Sequence, residues 1–146
     1  MVVELASGLF ALAGVALTVS LTEMRARREV RAKDSSELTA LKRKAYAGAL
    51  QQVELVAARL AQWTKTEPGD HQEAARGFWD ALTIAYQIEN EIRILARTQE
   101  PADAMHQILA VYRAALEGND RKLPKPREAR AGMIQAFRVD LGLPAK

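Results

Sequence analysis

The side chains that could carry chemistry are few: His71 and His106, the glutamates Glu89 and Glu91, and Ser35 and Ser36, the only serines after residue 22. The histidines are 35 residues apart, one at the start of an amphipathic run and the other inside a different one. A metal site needs several such ligands at helical or turn spacing, and neither His71 with Glu73 nor an HExxH pair supplies it, so no metal is expected. Ser35 and Ser36 fall in a helix-start context and not on a GxSxG turn, and no GxxxxGK[ST] loop is present to cradle phosphate. Glu89 and Glu91, two apart on a helix, point in different directions, and Glu89 four residues before Arg93 reads as an ordinary surface ion pair. With no cysteine in the chain, thiolate ligands, disulfides and a cysteine nucleophile are excluded. The expectation is a protein that is not an enzyme, with no cofactor and no small-molecule substrate.

Charge is the stronger signal. From Arg25 to Lys44 stand eight basic residues, Arg25, Arg27, Arg28, Arg31, Lys33, Lys42, Arg43 and Lys44, against three acidic ones, whereas thirteen of each cancel from Ala45 onward. A cluster of this kind attracts anionic lipid head groups, each cation near a membrane surface contributing about 1 kcal/mol. A basic segment is also the electrostatic footprint of a nucleic-acid binder. Lipid is favoured over nucleic acid, because no aromatic residue interleaves the arginines to stack on bases and the domain behind them is neutral.

What precedes the arginines fixes how they would be placed. Leu5 to Thr22 are eighteen residues without a charge, a helix of roughly 27 Å, close to the thickness of the bilayer core. Glu4 lies before the run and the arginines after it, the reverse of a secretory signal peptide. By the positive-inside rule the expectation is a single-pass protein of the cell membrane, with its amino terminus outside and its carboxyl-terminal domain in the cytoplasm. Ser7, Ala11, Gly14 and Thr18 share one face of that helix, a row of small residues that suits helix-helix association and self-association. The organisation expected is a transmembrane segment over 1–22, a basic juxtamembrane segment over 23–44 that begins the first long helix, and a helical domain over 45–146.

The elements that position these residues are helices throughout. Asp34 with Glu37 resembles a capping box and opens an amphipathic run through Leu38, Leu41, Ala45, Ala49, Val53, Val56, Leu60 and Trp63. Glu67-Pro68-Gly69 stops it, and Asp70 with Glu73 repeats the start signal. Phe78, Leu82, Ala85, Ile88, Ile92 and Leu95 form the apolar side of a second helix. Pro101 suits the first turn of a third, whose buried face is Met105, Ile108, Leu109, Tyr112 and Leu116 and whose end is Gly118. GNDRKLPKPR, residues 118–127, is a loop with two prolines and four basic residues. Met133, Ile134, Phe137 and Leu141 mark a last short helix that ends at Gly142. The fold class expected is all-α, one transmembrane helix followed by a small antiparallel helical bundle. Whether the first helix runs unbroken through Asp34-Ser35-Ser36 stays open at this level.

In size, plan and alanine and arginine bias the chain resembles the small membrane proteins of conjugative plasmids and phages in GC-rich mycelial bacteria, in particular the plasmid-spread proteins. That resemblance implies an adaptor or assembly component in plasmid transfer or in plasmid spread between hyphal compartments, with other membrane proteins as partners. A phage-type membrane protein acting in lysis or exclusion, and a membrane-anchored nucleic-acid binder, are the alternatives.

Overall fold

A computed structural model describes the backbone of residues 2–119 and 122–144, and the side chains of residues 26–29, 31–119 and 122–144. Its elements, among the described residues, are helices α1 (Val2–Lys65), α2 (His71–Leu95), α3 (Glu100–Glu117) and α4 (Arg127–Asp140). Backbone contacts divide the chain into two units, Met1–Leu38 and Thr39–Lys146.

One expectation about the fold is overturned. Among the described residues no helix is long and apolar enough to cross a membrane. The fold class is therefore all-α without the expected transmembrane helix over 1–22. Nor does any element end at Thr22. Between Gly14 and Gly48 the sequence contains neither glycine nor proline, the two residues that interrupt helices most strongly, so helical backbone continues through Glu23–Lys44. Asp34-Ser35-Ser36 neither caps nor breaks it. The side chains of the small-residue row Ser7, Ala11, Gly14 and Thr18 lie outside the described residues, as does that of Arg25.

In the unit from Thr39 onward the four helices run up, down, up and down. Gln52 of α1 reaches the Ala81 carbonyl of α2, and Trp63 packs on His71. Glu89 of α2 meets His106 of α3, and Arg93 meets Asp103. Lys42, Tyr46 and Glu54 of α1 meet Asp140, Phe137 and Arg130 of α4. In each pairing residue numbers rise on one helix as they fall on the other, so α1–α2, α2–α3 and α1–α4 are antiparallel, the geometry that short connections impose.

The core follows helical spacing: Ala45, Ala49, Val53, Val56, Leu60 and Trp63 on α1 meet Phe78, Leu82, Ala85 and Ile92 on α2. Met105, Ile108, Leu109 and Tyr112 on α3 and Met133 and Phe137 on α4 complete it. Small alanines on α1 facing large residues on the other helices allow close packing. Leu38 and Leu41, expected on the buried side, are 42% and 52% exposed. The reason lies in the stripe itself. Counted back from Ala45 in alternating steps of three and four, it becomes Lys42, Leu38, Ser35, Arg31 and Arg28, so the apolar seam has run out before those leucines.

Helix ends are set mostly by backbone. Asp70 makes no side-chain cap; instead the Asp70 N–H donates to the Glu67 carbonyl at 3.0 Å, and the His71 Nε2–H donates to the Thr66 carbonyl at 2.9 Å, tying the end of α1 to the start of α2. After α3 the left-handed residue is Asn119 (φ 51°), one past Gly118. α4 closes on Gly142 (φ 72°), with Gly142 N–H to the Val139 carbonyl and Leu143 N–H to the Arg138 carbonyl, both 2.9 Å, the two bonds of a Schellman motif.

Candidate functional site

Of the eight basic residues in the Arg25–Lys44 cluster, Arg27, Arg28, Arg31, Lys33, Arg43 and Lys44 are exposed. Every described side chain from Ala26 to Glu37 is exposed as well. Arg27, Arg28 and Arg31 are related by steps of three and four and so share one side of α1, while Lys33 lies on another.

Lys42 departs from this set. Its side chain is only 4% exposed, and its ammonium donates to Asp140 Oδ2 at 2.8 Å. It is a buried structural cation and contributes nothing to a surface for lipid or nucleic acid. Around the same carboxylate, Tyr46 Oη donates to Oδ2 at 2.6 Å and the Arg97 N–H donates to Oδ1 at 2.8 Å. Asp140 therefore joins α1, α4 and the connection after α2 at one point. Burial pushes its pKa up, but the bonds from Lys42, Tyr46 and Arg97 outweigh that and hold it below the ordinary aspartate value. Burial and the neighbouring Asp140 push the Tyr46 hydroxyl well above its ordinary range, so Tyr46 stays a donor. Its ring lies flat on Phe137, centroids 4.3 Å apart.

A second polar cluster joins α2 to α3. Glu89, expected as half of a surface pair, is 5% exposed. One oxygen accepts from Arg93 Nη2 at 2.9 Å, and the other lies 3.1 Å from His106 Nδ1. Arg93 extends the cluster to Gln99 (2.6 Å) and Asp103 (3.1 Å), which raises its pKa through the hydrogen bonds to Glu89 and Asp103. Glu89 sits at the edge of the apolar side, four residues from Ala85 and three from Ile92, and that spacing is why it is buried. Each Glu89 oxygen has a partner, Arg93 on its own helix and the exposed His106 on α3, so the cluster serves as an interhelical clamp at the edge of the core. Among the described residues no group of three or more histidine, aspartate or glutamate side chains is placed to hold a metal ion. Of the two tryptophans, Trp63 is buried in the core, whereas Trp79 is exposed beneath the Arg113 guanidinium, 5.8 Å from its ring centre.

Sequence spacing points to Asp140 only in retrospect. Lys42 occupies the core stripe of α1, and Asp140 lies three residues after Phe137 and seven after Met133 on the core side of α4. Opposite charges on two apolar faces at matching heights are the available signal. Set against family models, curated proteins and solved structures, the chain matches none of them.

Proposed function

We propose that this chain is a non-enzymatic adaptor, in which the helical bundle presents a basic helix to an anionic phospholipid surface. The observation that carries this reading is the exposed, arginine-rich stretch of α1 from Ala26 to Glu37. An isolated helix of that length is marginal in water, so a stretch whose described side chains are exposed is stabilised by an external surface. Its chemistry selects a polyanionic one. Head-group binding through Arg27, Arg28, Arg31 and Lys33 needs no apolar face and no base-stacking aromatic, and the stretch offers neither. The likeness to plasmid-spread proteins rests on size, plan and the alanine and arginine bias; the membrane-spanning amino terminus in that plan is not supported, and the likeness carries no process into this proposal.

The test is cosedimentation of the full chain with phosphatidylserine-containing vesicles, with neutral phosphatidylcholine vesicles, and with duplex DNA on beads at the same salt. Binding to anionic vesicles is expected to fall about a hundredfold when Arg27, Arg28 and Arg31 are changed together to glutamine, at about 1 kcal/mol for each. Stronger retention on DNA than on anionic vesicles, or binding unaffected by the triple change, would overturn the lipid reading.

A further inference from the structure

The basic stretch of α1 is not uniform in its cations. From Arg25 to Arg31 every basic residue is an arginine, and lysine begins only at Lys33. Arg31 lies four residues after Arg27 and three after Arg28, so it is a helical neighbour of both, with Cβ atoms about 5–6 Å apart. All three side chains are exposed. Asp34 follows Arg31 by three residues, yet among the described side chains no ion pair engages Arg28 or Arg31. Like charges at these spacings repel and weaken the helix, and an anion seated among them relieves that cost.

Arginine narrows the chemistry of the anion. A lysine ammonium meets any negative surface as a point charge, whereas a guanidinium is a planar fork of N–H donors that matches two phosphate oxygens at once. A phosphodiester head group offers a single charge and two unesterified oxygens, enough for one fork. A phosphomonoester carries about −1.5 to −2 charges at pH 7 and three terminal oxygens, so neighbouring forks can share it. Lys33, on another side of the helix, adds attraction without that selectivity.

We infer that Arg27, Arg28 and Arg31 form a clamp for a terminal phosphomonoester, so that the chain selects phospholipids with such a head group over phosphodiester lipids of equal charge. This selectivity rests on the reading of α1 as a helix that binds an anionic phospholipid surface.

The full chain is cosedimented near pH 7 with phosphatidylcholine vesicles that contain either phosphatidic acid or phosphatidylglycerol, at fractions adjusted to equal zeta potential. Phosphatidic acid vesicles are expected to bind at least about tenfold more tightly. Changing Arg27, Arg28 and Arg31 together to lysine keeps every charge and, because the two residues have similar helix propensities, keeps the helix. Binding to phosphatidylglycerol should then stay within about twofold while the preference for phosphatidic acid disappears. Free glycerol phosphate at about 1 mM should not release the chain, because one small head group lacks the many contacts of a surface. Equal affinity for the two vesicle types, or a preference that survives the lysine changes, would overturn the selectivity and leave the lipid reading standing. Binding to neither vesicle would overturn both. Release by free glycerol phosphate would assign the clamp to a soluble phosphomonoester and overturn its assignment to a lipid.

Discussion

Lys42 and Asp140, ninety-eight residues apart in sequence, form a 2.8 Å ion pair in which both side chains are almost wholly buried. It sits where the apolar seam of α1 gives out, with Tyr46 and the Arg97 N–H completing the carboxylate's partners. Taking two charges out of water is costly, and the extra hydrogen bonds are what make the pair tolerable. Removing one partner is therefore far worse than removing both. Asp140→Ala should cost about 3–5 kcal/mol in urea unfolding, since it strands the Lys42 ammonium in the bundle. Lys42→Met with Asp140→Leu should recover most of that loss, and a double-mutant cycle that shows simple additivity would refute the coupling.

The same carboxylate gives stability a pH dependence of defined sign. Because the folded pKa of Asp140 is depressed below the ordinary 3.8, the unfolded chain takes up the proton first as pH falls. Its contribution is complete above the unfolded value and drains away as pH drops through the folded one. The difference in Tm between the natural chain and Asp140→Asn should narrow below about pH 4. At the other end, the raised pKa of Tyr46 means that its contribution is complete below the ordinary 10.0 and is lost as pH climbs above it. Tyr46→Phe should flatten part of that alkaline loss, with Tyr112, also raised by burial, adding to it in the same direction.

Two glycines in and after α4 should respond in opposite ways to the same substitution. Gly132 lies inside the helix, and a Cβ added there meets nothing within 4 Å. Gly132→Ala should therefore stabilise by about 0.5–1 kcal/mol through helix propensity. Gly142 holds φ +72° in the Schellman stop, and Gly142→Ala should destabilise by about 1 kcal/mol, because a Cβ disfavours the left-handed region. Thermal unfolding of the two variants side by side decides it.

Glu89 offers a test of the α2–α3 clamp. Glu89→Gln keeps the shape but removes the charge that Arg93 and His106 share, and should cost about 1–3 kcal/mol. Glu91, exposed on the same helix, should be replaceable by glutamine with a change within about 0.5 kcal/mol. Equal effects at the two positions would mean that Glu89 does not bear on the packing of α2 against α3.

Local signals in the sequence are sound where a single helix decides the outcome. The seam Ala45 to Trp63, the break at Pro68-Gly69, Pro101 in the first turn of α3 and Gly142 at the stop of α4 all lie where spacing and backbone chemistry put them. What the sequence hides is tertiary. Lys42 looks like one more cation in a basic run, and only the arrival of Asp140 from the far end of the chain turns it inward. Glu89 with Arg93 has the spacing of a surface pair, yet His106 from α3 covers it. The start at Asp34 misleads for a different reason: a weak capping signal has no force where no residue breaks the preceding helix.

The basic stretch of α1 should differ from the bundle in how readily its amides exchange with solvent. From Ala26 to Glu37 the described side chains are exposed, so opening there uncovers little apolar surface. From Ala45 to Trp63 opening must also tear apart the core. Hydrogen exchange is expected to be at least about a hundredfold faster over 26–37 than over 45–63 in the free protein, a difference of about 2.7 kcal/mol in opening free energy. Vesicles with anionic head groups should slow exchange over 26–37 and leave 45–63 unchanged, because a bound surface stabilises only the residues that need it to stay helical. Exchange unchanged everywhere by anionic vesicles would remove the physical basis for assigning Arg27, Arg28 and Arg31 to a lipid surface.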